Sequence, residues 1–237
     1  MAQQIFTFRG GPRNGKLNYL LFLPNAYEKS RRKKWPLILF LHGAAERGDD
    51  PGILKKHGVP RIADEQPDFP FLAVSPQCPE GSTWARHVST LRSLLDSVLE
   101  DYSADPDCLY LTGISMGGNG VWLLATQYPG LFAAVAPVCG YGLRSQGFPD
   151  RVCVLKDIPV WVFHGSSDRI VHLSESRKLV DRLRECGREV RFTIYPRCGH
   201  DSWTRTYENP DIYEWFLSHR RTGRLPQNTS DSPVRIL

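Results

Sequence analysis

The sequence predicts an α/β fold: a mostly parallel central sheet with helices on both faces and an antiparallel N-terminal hairpin at one edge. Three observations carry this. Strand-like and helix-like runs alternate along the chain, the pattern of a parallel sheet covered on both sides. The runs 37–41 and 71–74 are continuously apolar, as strands buried on both faces are. Two alternating runs, 3–9 and 17–23, flank Asn14-Gly15, a strong hairpin signal.

Each element follows from its local pattern. The run 37–41 ends at His42-Gly43, and 71–74 ends at Ser75-Pro76. Residues 86–102 place Val88, Leu91, Leu94, Leu95, Val98 and Leu99 at helical spacing. A strand at 108–111 leads into Gly113-Ile114-Ser115-Met116-Gly117-Gly118, and a helix over 118–127 stops at Tyr128-Pro129-Gly130. Strands are predicted at 132–138, 159–164 and 190–195. A helix over 174–186 buries Leu179, Val180 and Leu183, and a last helix over 211–220 turns Ile212, Trp215 and Phe216 inward. The stretch 139–158 is too short for a helical cap domain. Residues 1–221 read as one catalytic domain and 222–237 as a polar tail.

The chain has 237 residues, 41% hydrophobic and 23% charged, with a formal net charge of +5. That is a soluble globular composition, long enough for a core without metal or disulfide staples. The basic run Arg31-Arg32-Lys33-Lys34 lacks the interleaved aromatics of a nucleic-acid surface and reads as a solvated loop. No run reaches the length of a membrane span, and the N-terminus lacks a signal-peptide pattern. Six cysteines without Cys-x-x-Cys spacing read as reduced thiols of a cytoplasmic protein, with Cys108 and Cys139 in the core. The expected partner is a small-molecule ester, with neither nucleic acid nor membrane.

The glycine-rich stretch at 113–118 raises the central question. A strand, Gly-x-Ser-x-Gly, and then a helix make the nucleophile elbow of α/β-hydrolases. The turn is so sharp that Ser115 takes a strained backbone conformation, and Gly113 and Gly117 remove the collisions that side chains would cause. The same geometry aims the Met116 amide and the helix N-terminus at the hydroxyl, where both suit an anion.

A serine hydroxyl needs a base. In this architecture Asp or Glu and then His follow the Ser along the chain. Asp168 follows the 159–164 strand in His164-Gly165-Ser166-Ser167-Asp168, and His200 follows the 190–195 strand in Cys198-Gly199-His200-Asp201. Parallel strands bring those loops to one side of the sheet. His42, His164 and His172 are rival bases, but His42 and His164 precede tight turns at strand ends and read as ligands of loop backbone. A second oxyanion donor is expected from the Ala44 amide, and Glu46 and Arg47 read equally as an ion pair bracing that loop or as a solvated turn.

Taken together, four segments carry a resemblance. They are Leu41-His42-Gly43-Ala44-Ala45-Glu46-Arg47-Gly48, Pro76-Gln77-Cys78-Pro79 with Trp84, the Gly-x-Ser-Met-Gly-Gly elbow, and Gly199-His200-Asp201-Ser202-Trp203. The chain resembles the compact α/β-hydrolases of the phospholipase/carboxylesterase-like family, related to feruloyl esterases and polyhydroxybutyrate depolymerases, over roughly residues 5 to 220. The resemblance implies a serine carboxylesterase without a cofactor. Ser115, Asp168 and His200 would be its triad, and Trp84 and Trp203 would flank the cleft, with core packing the competing reading of each tryptophan and nearly as strong for Trp84. Tyr141 is expected to line the same cleft, whose aromatic rings suit short acyl or aryl esters. A thioesterase or serine peptidase would use the same triad, and a non-catalytic binding protein could keep the same fold.

Overall fold

The computed structural model describes residues 3–10, 15–28 and 33–221. The tail 222–237, most of the predicted hairpin turn with Asn14, and Arg31 and Arg32 lie outside the described residues.

Eight strands form one sheet: β1 (Gln4–Gly10), β2 (Gly15–Phe22), β3 (Trp35–Leu41), β4 (Leu72–Pro76), β5 (Ala104–Ile114), β6 (Ala134–Val138), β7 (Trp161–Gly165) and β8 (Arg191–Tyr195). Their order is β1-β2-β4-β3-β5-β6-β7-β8. β1 pairs antiparallel with β2, and β2 antiparallel with β4. From β4 to β8 every pairing is parallel. The hairpin forms, but Gly10 stands opposite Gly15, so Gly15 is the first residue of β2 and not part of a two-residue Asn14-Gly15 turn.

Alternation along β3 divides the core. Leu37, Leu39 and Leu41 join a cluster that takes in Leu91, Leu94, Leu95 and Val98 of α2 (Val88–Asp101), Val121 and Leu124 of α3 (Met116–Gln127), and Leu179, Val180 and Leu183 of α4 (Leu173–Glu185). Ile38 and Phe40 point the other way. They pack with Val59 and Ile62 of α1 (Gly58–Glu65), Tyr207 of α5 (Trp203–Glu208), and Ile212 and Phe216 of α6 (Asp211–Leu217). β3 therefore buries both sets of side chains, which is why its sequence runs continuously apolar.

The differences from expectation are local. The last helix ends at Leu217 rather than 220, and Trp215 is only half-buried. The stretch 139–158 folds into two short 3-10 turns, Arg144–Gln146 and Asp150–Leu155, and builds no cap. The cysteines are corrected as well. Cys153 and Cys186 form a disulfide with Cα atoms 5.5 Å apart, joining the second of those turns to the C-cap of α4. The fold creates this pair from residues 33 positions apart, which spacing alone does not reveal. Cys78, Cys139 and Cys198 stay free and buried, whereas Cys108 is only half-buried.

Candidate active site

Three loops meet at the C-terminal ends of the parallel strands β5, β7 and β8. β5 ends at Ile114, and Ser115 stands at the corner before α3 with φ 53° and ψ −112°. An L-residue pays backbone strain in that region, and the surroundings hold it there. A Cβ on Gly113 or Gly117 would collide with the Leu41 carbonyl oxygen at the end of β3. Glycine at both positions lets strand, corner and helix approach so closely.

Asp168 lies on the loop after β7 and is fully buried. Its Oδ1 accepts from the Ile170 and Val171 amides at 2.9 and 3.0 Å. Its Oδ2 lies 2.7 Å from His200 Nδ1. Nδ1 faces a carboxylate and so carries the ring proton, which leaves Nε2 to accept. Nε2 lies 3.0 Å from Ser115 Oγ. His200 keeps 19% of its side-chain surface exposed, whereas the Asp168 side chain has none. The Asp168 and His200 loops can touch because Gly165 has no side chain: a Cβ there would strike the Cys198 and Gly199 carbonyls.

The two amides expected to serve as oxyanion donors each open a helical turn. Met116 opens α3, whose N-cap Ser115 makes no side-chain cap bond, so its N–H has no partner within the helix. Ala44 opens a 3-10 turn, Ala44–Glu46, whose N-cap Gly43 likewise offers no side-chain acceptor. The loop that carries Ala44 is clamped from below. Gln77 Nε2 donates to the Glu46 and Asp50 carbonyls at 3.0 Å each, and the Gly48 amide donates to Cys78 O at 3.0 Å. His42 Nδ1 donates to Gly43 O at 2.6 Å while Nε2 accepts from the Cys78 amide at 2.8 Å. Those partners fix one neutral tautomer, and burial pushes the ring down to about 4.

Some sequence expectations change here. Trp84 does not flank the cleft. It is fully buried, edge-on to the His42 ring at 5.0 Å, with its indole N–H donating to His42 O. Glu46 and Arg47 do not pair: Glu46 turns inward, with Oε2 3.9 Å from His42 Nδ1. Arg47 instead donates to the Ala44 and Ser82 carbonyls. His172 caps α4 by accepting from the Ser174 amide. Trp203 is half-buried and meets His200 edge-on at 5.3 Å, and Tyr141 is half-buried just beyond β6.

Sequence reasoning missed two neighbours of the relay. His164 bonds the Val171 carbonyl, as its turn position suggests, but also approaches Asp168 Oδ2 to 3.2 Å. The four-residue spacing of His164-Gly165-Ser166-Ser167-Asp168 is the signal that could have shown it. Cys139 lies just past β6 with φ 40°. Its Sγ, with Asp168 and His200, offers donor atoms within 4.8 Å of one another. Those two already bond each other directly, and burial pushes the Cys139 thiol up to about 12. The set fits a proton relay better than a cation. No helix among the described residues is long and apolar enough to cross a membrane.

A family profile described as Phospholipase/Carboxylesterase matches residues 69–210. Carboxylesterase SOBER1 of Arabidopsis thaliana is 26% identical over 156 residues, 64% of this chain and 65% of its own length. The bifunctional acetylxylan esterase/xylanase XynS20E of Neocallimastix patriciarum is 25% identical over 190 residues, 76% of this chain and 26% of that protein. Among solved structures, a thermostable esterase has a TM-score of 0.78 and 32% identity, covering 93% of this chain and 64% of that one. The chain thus spans between 26% and 65% of the length of these relatives.

Proposed function

Because the chain belongs to the phospholipase/carboxylesterase family and has the α/β-hydrolase fold, we propose that it is a serine carboxylesterase acting on short-chain acyl or aryl esters. The observation that carries this reading is the continuous hydrogen-bonded chain from Asp168 through His200 to Ser115.

In the proposed reaction His200 Nε2 takes the Ser115 proton as Oγ attacks the ester carbonyl carbon. Asp168 holds the ring and stabilises the imidazolium that forms. The carbonyl oxygen gains negative charge and rests on the Met116 and Ala44 amides, where one such donor is worth about 3–4 kcal/mol of barrier. As the carbonyl reforms, the ester C–O bond breaks and the alcohol leaves with the proton from His200. Water then repeats the cycle on the acyl-enzyme, its proton passing to His200 and its oxygen to the released acid. No step calls for a metal or an organic cofactor.

Trp203 and Tyr141 are the proposed walls of the substrate cleft, with Trp84 withdrawn. The missing cap leaves that cleft open, and one relative's name specifies an acetyl ester, in keeping with a small acyl group. The Cys153–Cys186 disulfide favours an oxidising compartment over the cytoplasmic location that the cysteine spacing suggests.

The deciding experiment labels the protein with a fluorophosphonate and assays matched ester, thioester and amide substrates. Labelling at Ser115 with the ester turned over fastest supports the reading. Unlabelled Ser115, or undiminished turnover by Ser115→Ala, ends it. A preference for the thioester or amide keeps the triad and moves the substrate class.

A further inference from the structure

His164 is fully buried on β7. The Gly165 turn folds the chain back, so its ring meets the Asp168 carboxylate four residues later. His164 Nε2 lies 2.8 Å from Val171 O and 3.2 Å from Asp168 Oδ2. A carbonyl and a carboxylate only accept, so Nε2 carries a proton and is shared between them. At the other end of the ring, Nδ1 faces Ser176 Oγ of α4 at 2.8 Å. Burial lowers the ring's affinity for a second proton, so Nδ1 accepts and the Ser176 hydroxyl donates. The Gly140 carbonyl, 3.2 Å from Ser176 Oγ, is the second and longer acceptor for that single hydroxyl proton. The ring is thus held at both ends in one tautomer.

Asp168 therefore receives three N–H groups and has a fourth, His164 Nε2, at ion-pair distance. Two backbone amides fix Oδ1, yet a carboxylate anchored on one oxygen still turns about its broad terminal torsion. The oxygen that His200 uses is Oδ2, and the His164 N–H that bonds Val171 O lies 3.2 Å from it. We infer that His164 is a positioning residue, which holds Asp168 Oδ2 in line with His200 Nδ1 and tempers that oxygen's pull on the imidazole proton. The inference rests on the proposed triad and extends it by one residue.

The sign of the effect follows from competition. Two donors on one oxygen each reduce its strength as an acceptor for the other. Without the His164 N–H, Oδ2 attracts the His200 proton more strongly and favours the imidazolium. The free base then appears only at higher pH. The titratable groups near His200 come from several elements. Asp168 and His164 face it from the β7 side, Cys139 from the end of β6, and His57 from α1 behind Trp203. Cys198 and Asp201 lie on its own loop. Among these groups, His164 is the one that brings a second N–H to the oxygen bonded by His200.

The test measures kcat/KM for p-nitrophenyl acetate from acid to mildly alkaline pH, with thermal melts on each protein. His164→Leu removes the donor. It is expected to move the acid limb up by about half a pH unit and to lower kcat/KM about tenfold. His164→Gln can present an amide N–H to the same oxygen and is expected to return the limb to its wild-type position. Ser176→Ala keeps the ring but frees its far end, and is expected to shift the limb in the same direction by less. Acid limbs unmoved in His164→Leu and Ser176→Ala overturn the inference, whatever happens to the melts. If His164→Leu does not fold, Ser176→Ala and His164→Gln decide: an unmoved limb in the first or an unrestored one in the second overturns it. The triad reading fails separately, through turnover retained by Ser115→Ala.

Discussion

Trp84 donates its indole N–H to the carbonyl oxygen of His42 across 3.0 Å, with both side chains buried under the loop that carries Ala44. This bond ties the end of β3 to the turn before α2. Trp84→Phe keeps most of the buried ring but leaves a buried carbonyl without its donor, at a cost of about 1–3 kcal/mol. The expected result is a lower denaturation midpoint and a lower kcat, because the Ala44 amide loses its support. The KM of a small ester should stay unchanged, because Trp84 touches no substrate. Matched melts and kinetics check this, and a raised KM at unaltered stability would return Trp84 to the cleft.

That tryptophan also shows where the sequence stops being legible. Ser115, Asp168 and His200 could be read because each follows a strand, in the chain order the sheet topology demands. The elbow could be read because only glycines fit against the Leu41 carbonyl. Whether a tryptophan lies under a loop or beside it depends on packing that spans 42 positions between Trp84 and His42. The Cys153–Cys186 pair was hidden for the same reason. Helix α1 escaped notice because Gly58, at φ +64°, and Pro60 read as a loop, although proline is tolerated in a first helical turn.

His42 makes stability depend on pH. Its folded value falls from 6.5 to about 4 through burial. Between those values the unfolded chain binds a proton that the folded chain excludes, so stability falls as the pH drops through that window. A gap of this size corresponds to about 3 kcal/mol, fully present above the upper value and gone below the lower one. His164, also lowered by burial, adds with the same sign. His42→Asn is expected to be less stable at neutral pH yet to show a flatter slope across the window. Denaturant unfolding at a series of pH values measures both, and equal slopes in the two proteins would contradict the assignment.

The Cys153–Cys186 bond closes a loop of 33 positions. Loops of that order lose about 3–4 kcal/mol of stabilisation on opening in the chain-entropy account. Replacing both cysteines by serine should therefore lower the denaturation midpoint, with esterase activity preserved below the transition. The bond joins the turn at Asp150–Leu155 to the end of α4 and touches none of the three relay residues. Equal midpoints for the double variant and the untreated wild type would mean that the bond contributes nothing to the fold.

Gly165→Ala addresses how two loops bring Asp168 and His200 together. The new Cβ would collide with the Cys198 and Gly199 carbonyls. Those residues lead directly into His200, and Gly165 leads into Asp168. Relief of the clash therefore has to separate the two loops. Overpacking of this kind costs about 1–3 kcal/mol of stability. A shift of about 1 Å between the reacting groups is enough for a hundredfold loss of rate. The variant is expected to fold, to lose about two orders of magnitude in kcat with little change in KM, and to label slowly with a fluorophosphonate. Cys198 and Gly199 have no strand partners beyond the turn, so the sheet itself can survive the displacement. Full activity in a folded Gly165→Ala protein would mean that the loops yield without parting the carboxylate from the imidazole, and the close approach at Gly165 would then have no part in aligning them.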